Sequence, residues 1–226
     1  MEAAAAIVDP QPNPKATAQH VENISSAPRN VESDIETVAL VADAPKSDFK
    51  LTPIILDQVR PDEVLIDMKY TGIFLQQRLL PMVNFPAIFG HEGAGTILAL
   101  GSSVKNTFLK VGDAVLLSFN TCGPCNACTT GHPAFCHRHP EVNHNAVRIT
   151  DRSTPARLQD GKAVRSQYFG QSSFAKMSVV NEKCVMKCPD AYEDQMYIYC
   201  AMGCGFQTGA GTVLNVLKLS KQSLSP

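Results

Sequence analysis

An excess of charge of either sign is missing from this chain: 20 lysines and arginines stand against 21 aspartates and glutamates, for a formal charge of −1. Gripping a nucleic-acid backbone takes clustered cationic side chains, so no nucleic-acid partner is expected. No uninterrupted apolar run approaches the ~20 residues that a membrane-spanning helix needs, so no membrane partner is expected either. The opening Met-Glu-Ala-Ala-Ala-Ala-Ile-Val-Asp has no basic stretch and carries acid early, unlike a secretory or organelle-targeting leader. The expected location is the cytoplasm. Only 18% of the 226 residues are charged and 44% are apolar, globular values with room for one medium domain plus a tail, or two small domains.

Cysteine, by contrast, is plentiful. Eight are present: four between 122 and 136, two at 184 and 188, and two at 200 and 204. In a reducing compartment a tight cluster reads as metal binding sooner than as disulfides. Cys122-Gly-Pro-Cys125-Asn-Ala-Cys128 returns to Cys136 as a C-x2-C-x2-C-x7-C array. Zinc takes four tetrahedral ligands, and thiolates at about 2.3 Å satisfy it. A shell closed by four sulfurs has no open position, so this site is expected to be structural. In zinc-finger peptides such binding is worth roughly 10–16 kcal/mol, enough to hold a lobe with little core. Four unconnected buried thiols, a redox CxxC pair and a nucleic-acid-binding zinc ribbon all fit less well. The redox pair leaves two cysteines unexplained, and the lobe has no basic cluster before Arg138.

Residues 1–35 hold Pro10, Pro12, Pro14 and Pro28 without an apolar period, and are expected to form a disordered tail. Short strands are expected at Thr37–Ala42, Phe49–Leu56, Glu63–Tyr70, Gly95–Gly101 and Asp113–Phe119, with the Glu63 strand alternating as a half-buried strand does. Residues 137–166 read as polar surface loops. Strands return at Phe174–Val180 and Cys184–Cys188, stopped by Pro189. Helices are expected over Asp194–Met202 and Gln207–Leu219, the second with Val213, Leu214, Val216 and Leu217 on an apolar face that its missing partners leave exposed. Many short strands followed by two helices suit a small β-barrel with helical trimmings.

Three motifs frame the array: Gly90-His-Glu-Gly-Ala-Gly95 and Val111-Gly-Asp-Ala-Val115 before it, and Gly203-Cys-Gly-Phe-Gln-Thr-Gly209 after it. In this order they resemble the zinc-containing medium-chain alcohol dehydrogenases, most closely the fungal aryl-alcohol type, from about Thr37 to Lys218. The resemblance implies a mainly β, GroES-like, partly open barrel over residues 36–205, with residues 206–226 as the helix leading to a nucleotide-binding domain. It implies NAD(P)-linked oxidation of a small-molecule alcohol to an aldehyde, aromatic alcohols among them, in a natural-product setting. A second, reactive zinc is implied, a Lewis acid that stabilises the alkoxide while hydride passes to the nicotinamide. His91 and Cys204 carry over as its ligands, with Glu92 beside it. Cys184, Cys188 and Cys200 match no role and read as packing thiols. His137 and His139, though spaced like a metal pair, read as solvated.

The sequence departs from that family twice. Members follow Tyr-Thr-Gly-Ile with a Cys-His-Thr-Asp segment bearing the first reactive-zinc ligand, whereas Tyr70-Thr-Gly-Ile73 runs directly into Phe74-Leu-Gln-Gln-Arg-Leu-Leu. A nucleotide fold also needs G-x-G-x-x-G after a strand and an acid ~20 residues on. Gly209-Ala-Gly211 is the nearest imitation, and 15 residues follow it. The expectation is a truncated dehydrogenase, inactive alone and associating with a full-length relative. A catalytically silent zinc-stabilised binding module and a degraded reading frame are the alternatives.

Overall fold

The computed structural model describes residues 34–73 and 83–217. The expected tail up to residue 33, the join at Phe74–Leu80 and the polar end Ser220–Pro226 lie outside the described residues.

Among the described residues there are ten strands: β1 (Ile35–Ala42), β2 (Lys50–Leu56), β3 (Glu63–Thr71), β4 (Ala87–Ile88), β5 (Gly93–Leu100), β6 (Ala114–Leu117), β7 (Ala156–Leu158), β8 (Ala163–Val164), β9 (Met177–Asn181) and β10 (Val185–Lys187). They form two five-stranded sheets, in the orders β4-β1-β2-β7-β8 and β10-β6-β5-β3-β9. The first sheet curls until its edges meet, because Ile88 N–H donates to Arg165 O at 2.8 Å and Arg165 N–H to Pro86 O at 2.9 Å. Residues 174–176 stitch the two sheets together. Leu40 N–H donates to Phe174 O at 2.8 Å on one side, and Met68 N–H to Lys176 O at 2.9 Å on the other. The result is the mainly β, GroES-like barrel.

Two apolar cores decide which strands lie inside. One gathers Val41, Ile54, Leu56, Leu65, Ile88, Phe89, Val164 and Tyr168; the other gathers Val64, Ile66, Met68, Ile97, Val115, Leu117 and Val180. Leu65 points into the first, while Val64 and Ile66 point into the second, so β3 is buried on both faces rather than half-buried as its sequence suggested. Each such side chain, fully buried, contributes roughly 1.5–3 kcal/mol.

Residues 137–166 are not surface loops. They supply α2 (His139–His144) together with β7 and β8, and bury Val142, Asn143, Ala146, Val147, Arg148, Ala156 and Val164. Strands of two and three residues are too short to show a period, and the buried arginine disguises the segment as polar. The cysteine lobe also contributes the single-turn helix α1 (Asn126–Thr129).

The expected C-terminal helices are shorter and tighter. A 3-10 turn over Asp190–Gln195 leads into α3 (Met196–Tyr199), and α4 spans Gly205–Gly211 before π-type turns over Thr212–Leu217. Three glycines in seven residues of α4 weaken regular helix. Val213, Leu214, Val216 and Leu217 are exposed, as expected. Among the described residues no helix is long and apolar enough to cross a membrane. Strand β1 begins at Ile35, inside the segment read as tail.

Candidate metal centres

The first centre is built by the loop that leaves β6. Sγ atoms of Cys122, Cys125, Cys128 and Cys136 all lie within 4.8 Å of one another, and none is in a disulfide. Ligands at 2.3 Å in a tetrahedron stand about 3.8 Å apart, and the Cys125 and Cys128 sulfurs are 3.5 Å apart. Every sulfur accepts a backbone N–H: Cys136 from Cys122 at 3.4 Å, Cys122 from Cys125, Cys125 from Cys128 and His137, and Cys128 from Gly123. Gly123 presents its amide at φ +93°, a conformation that side-chain-bearing residues rarely adopt. Those amide donors push the Cys125 thiol down to about 6, whereas burial pushes Cys122 up to about 12. Four soft donors bathed in amide N–H groups fit a thiophilic ion such as zinc.

The second centre gathers His91, Glu92 and Cys204, whose ligand atoms also lie within 4.8 Å of one another. His91 and Glu92 immediately precede β5, and Cys204 immediately precedes α4. His91 Nε2 is 3.2 Å from Cys204 Sγ, and Glu92 Oε1 accepts the Gly205 N–H at 3.1 Å. Burial, with Glu92 adding to it, pushes the Cys204 thiol up to about 11. One imidazole, one carboxylate and one sulfur make three donors, one short of a tetrahedral shell, which is the donor count of zinc at a reactive site.

Close backbone approach places Cys204. A Cβ on Gly203 would lie 1.8 Å from Leu117 O and 2.9 Å from Ser118 Cα, so only glycine lets this turn rest on the end of β6. Gly203→Ala is expected to destabilise the protein by about 1–3 kcal/mol and to widen the His91–Cys204 gap. Urea denaturation and metal titration would read both effects.

Aromatic rings wall His91. Phe169 stacks on its imidazole with centroids 4.5 Å apart, and Tyr168 stands edge-on at 5.9 Å. Phe169 holds φ +52°, a sparsely populated conformation for an aromatic residue. His144 and His139 pack against Phe169 at 5.5 and 6.0 Å, so His139 is half-buried rather than solvated. His137 is exposed. Cys184, Cys188 and Cys200 are buried in apolar clusters, as packing thiols are. Sequence reasoning missed Tyr168, Phe169 and the buried run Gln171-Ser172-Ser173. The only available signal was three polar residues flanked by aromatics.

Burial, followed by repulsion from His144, depresses His91 from 6.5 to about 4. Between those values the unfolded chain holds the extra proton. Stability present above about pH 6.5 is therefore lost as pH falls toward 4, by about 3 kcal/mol in the metal-free protein. His139 and His144 shift the same way, through burial. Comparing urea midpoints at pH 7 and pH 4 is expected to show a steeper acid loss for the native chain than for His91→Gln. Parallel profiles would contradict this.

A GroES-like barrel carrying a four-thiolate lobe and a separate histidine–glutamate–cysteine set defines a zinc-site domain of the dehydrogenase type. Residues 60–190 match the alcohol dehydrogenase GroES-like domain, and the chain belongs to that family, among the zinc-containing medium-chain alcohol dehydrogenases. It is 36% identical over 179 residues to a geraniol dehydrogenase of Castellaniella defragrans, covering 76% of this chain and 46% of that protein. An alcohol dehydrogenase zinc-binding domain protein from Burkholderia ambifaria superposes with TM-score 0.75 at 34% identity, covering 82% of this chain and 50% of the other. Benzyl alcohol dehydrogenase from Acinetobacter calcoaceticus gives 0.73 at 31%, covering 82% and 49%. The chain thus spans about half the length of these relatives.

Proposed function

We propose that this chain is the metal-binding half of a cytoplasmic, NAD(P)-linked alcohol dehydrogenase acting on alcohols with an aromatic or comparably apolar body. The observation that carries the reading is the gathering of His91, Glu92 and Cys204 within 4.8 Å beside an independent four-thiolate lobe. Cys122, Cys125, Cys128 and Cys136 would hold a structural zinc. His91, Glu92 and Cys204 would hold a second ion, with Glu92 serving where the family has an earlier cysteine. Bound there, that ion supplies Lewis-acid chemistry to the alcohol oxygen.

The chain's own residues do the rest of the work on this side of the reaction. Phe169 and Tyr168 keep water off one side of His91, and burial holds the Tyr168 hydroxyl in its protonated form well above neutral pH. Oxidation of the alcohol also requires a nicotinamide carbon held near contact distance from the carbinol carbon. We assign residues 36–205 to the metal-binding unit and residues 206–226 to the connection toward a nicotinamide-binding unit. Such a unit, on a full-length relative, would cover the exposed Phe206, Leu214, Val216 and Leu217.

The test is metal analysis of the purified chain joined to calorimetry with NAD(H). The expected result is two zinc ions per chain, one resistant to chelation and one readily removed, with no nucleotide binding by the chain alone. Aldehyde reduction should appear only when a nicotinamide-binding half is supplied. A single ion with no activity in the supplemented mixture would overturn the enzyme reading in favour of a silent zinc-stabilised module. Turnover by the isolated chain would overturn the division of labour.

A further inference from the structure

The loop between β8 and β9 contains a fully buried amide with an uncommon set of partners. Gln171 is 0% exposed. Its Nε2 donates to His91 O at 3.0 Å and to Ser118 O at 2.9 Å, and its Oε1 accepts the Gly93 N–H at 3.1 Å. The side chain thus bonds the peptide groups on either side of Glu92, as a neighbouring strand would, with its remaining donor on the segment after β6. That segment is where the third donor rests: Ser118 Oγ donates to Gly203 O at 3.0 Å, one residue before Cys204. One side chain therefore ties the His91–Glu92 turn to the platform under Cys204.

We propose that Gln171 is a positioning residue that fixes the spacing of the His91, Glu92 and Cys204 donors, and with it the affinity and geometry of the ion they hold. The inference rests on the reading of those three residues as ligands. Gln171 touches no ligand atom; it acts through backbone. A carbonyl and an amide freed on either side of Glu92 would take new partners and turn the His91 and Glu92 side chains relative to each other. Partners that orient ligands typically alter metal affinity 10–100-fold when removed. Other groups in this loop do not serve the same end. Ser172 Oγ donates to Ile88 O at 2.7 Å and accepts the Tyr168 N–H at 2.8 Å, so the equally buried Ser172 holds the loop to β4 rather than to the ligand turn.

The test compares the full native chain with Gln171→Ala and with Ser172→Ala as a control for general loosening. Cobalt titration distinguishes the two centres, since four thiolates and a single thiolate give different charge-transfer intensities. Gln171→Ala is expected to keep the four-thiolate signal and to bind the second ion 10–100-fold more weakly. Ser172→Ala, matched for loss of thermal stability, is expected to bind it as the native chain does. Hydrogen exchange on the metal-free proteins supplies a second reading: the Gly93 amide should exchange at least roughly tenfold faster in Gln171→Ala and be little changed in Ser172→Ala. Native-like cobalt affinity in Gln171→Ala, or equal losses in both variants, overturns the inference. If the native chain itself takes up one ion only, the ligand reading fails instead, and the Gly93 exchange rates alone decide whether Gln171 holds this turn.

Discussion

Removal of zinc from the four-thiolate lobe is expected to unfold residues 121–144 while the two sheets stay folded. The lobe has little else to hold it. Its buried cluster consists of Cys122, Cys136 and Val142, with Cys125, Cys128 and Ile149 packed against it. At roughly 1.5–3 kcal/mol for a fully buried large side chain, that core supplies only a few kcal/mol. Reciprocal bonds between Asn120 and Asn143, at 2.8 and 3.0 Å, and the bonds of Lys183 Nζ to Thr121 O and Cys122 O, both at 3.2 Å, add about 1 kcal/mol each. Ordering these 24 residues opposes this by about 1–2 kcal/mol per residue, more than those contacts return. Zinc bound at a four-cysteine site, worth roughly 10–16 kcal/mol, works against that deficit. Hydrogen exchange with and without chelator should therefore show protection between residues 121 and 144 collapsing, with β3 and β5 unchanged. Cys136→Ser should reproduce the collapse at saturating zinc. A metal-free lobe that stays protected would mean its own contacts suffice.

The legibility of this molecule in its sequence follows the length of its elements and the range of its contacts. Strands β1, β2, β3 and β5, each of seven residues or more, have enough apolar or β-branched residues to be read directly. The cysteine array was equally readable, because all four ligands sit within 15 consecutive residues and tetrahedral chemistry dictates their spacing. The second centre joins residues more than a hundred positions apart, and only the likeness to a known family pointed to His91, Glu92 and Cys204. No periodicity reveals that β4 and β8, two residues each, close a sheet; long-range pairing alone makes them strands. Gln171 was hidden for a related reason. An amide in a Gln-Ser-Ser run looks solvated until the backbones of His91, Gly93 and Ser118 are seen to converge on it.

The segment misread as surface loop leads to the second large effect. Replacing Glu63 with glutamine is expected to destabilise the protein by about 3–5 kcal/mol, the range for breaking a buried ion pair by removing one partner. Arg148 grips Glu63 with two bonds, Nε to Oε1 at 2.7 Å and Nη2 to Oε2 at 3.0 Å, and both side chains are only 3% exposed. Glutamine keeps the volume but removes the charge, leaving Arg148 with Asp57 at 3.1 Å, a carboxylate that is 41% exposed and already shared with Arg157. Glu63 has further ties, accepting from Gln167 Nε2 at 3.3 Å and from the Arg60 N–H at 3.1 Å, so the pair sits at the meeting of β3, the 146–153 turn and the loop that carries Gln171. The effect should hardly change between low and high salt, because a buried pair is poorly screened. Replacing both partners together, Glu63→Leu with Arg148→Met, is expected to recover most of the loss, since the desolvation penalty disappears with the charges. Urea denaturation at neutral pH separates these outcomes. If Glu63→Gln costs under about 1 kcal/mol, the pair behaves like a surface ion pair, and the junction of β3 with the 146–153 turn must be held by its apolar neighbours alone.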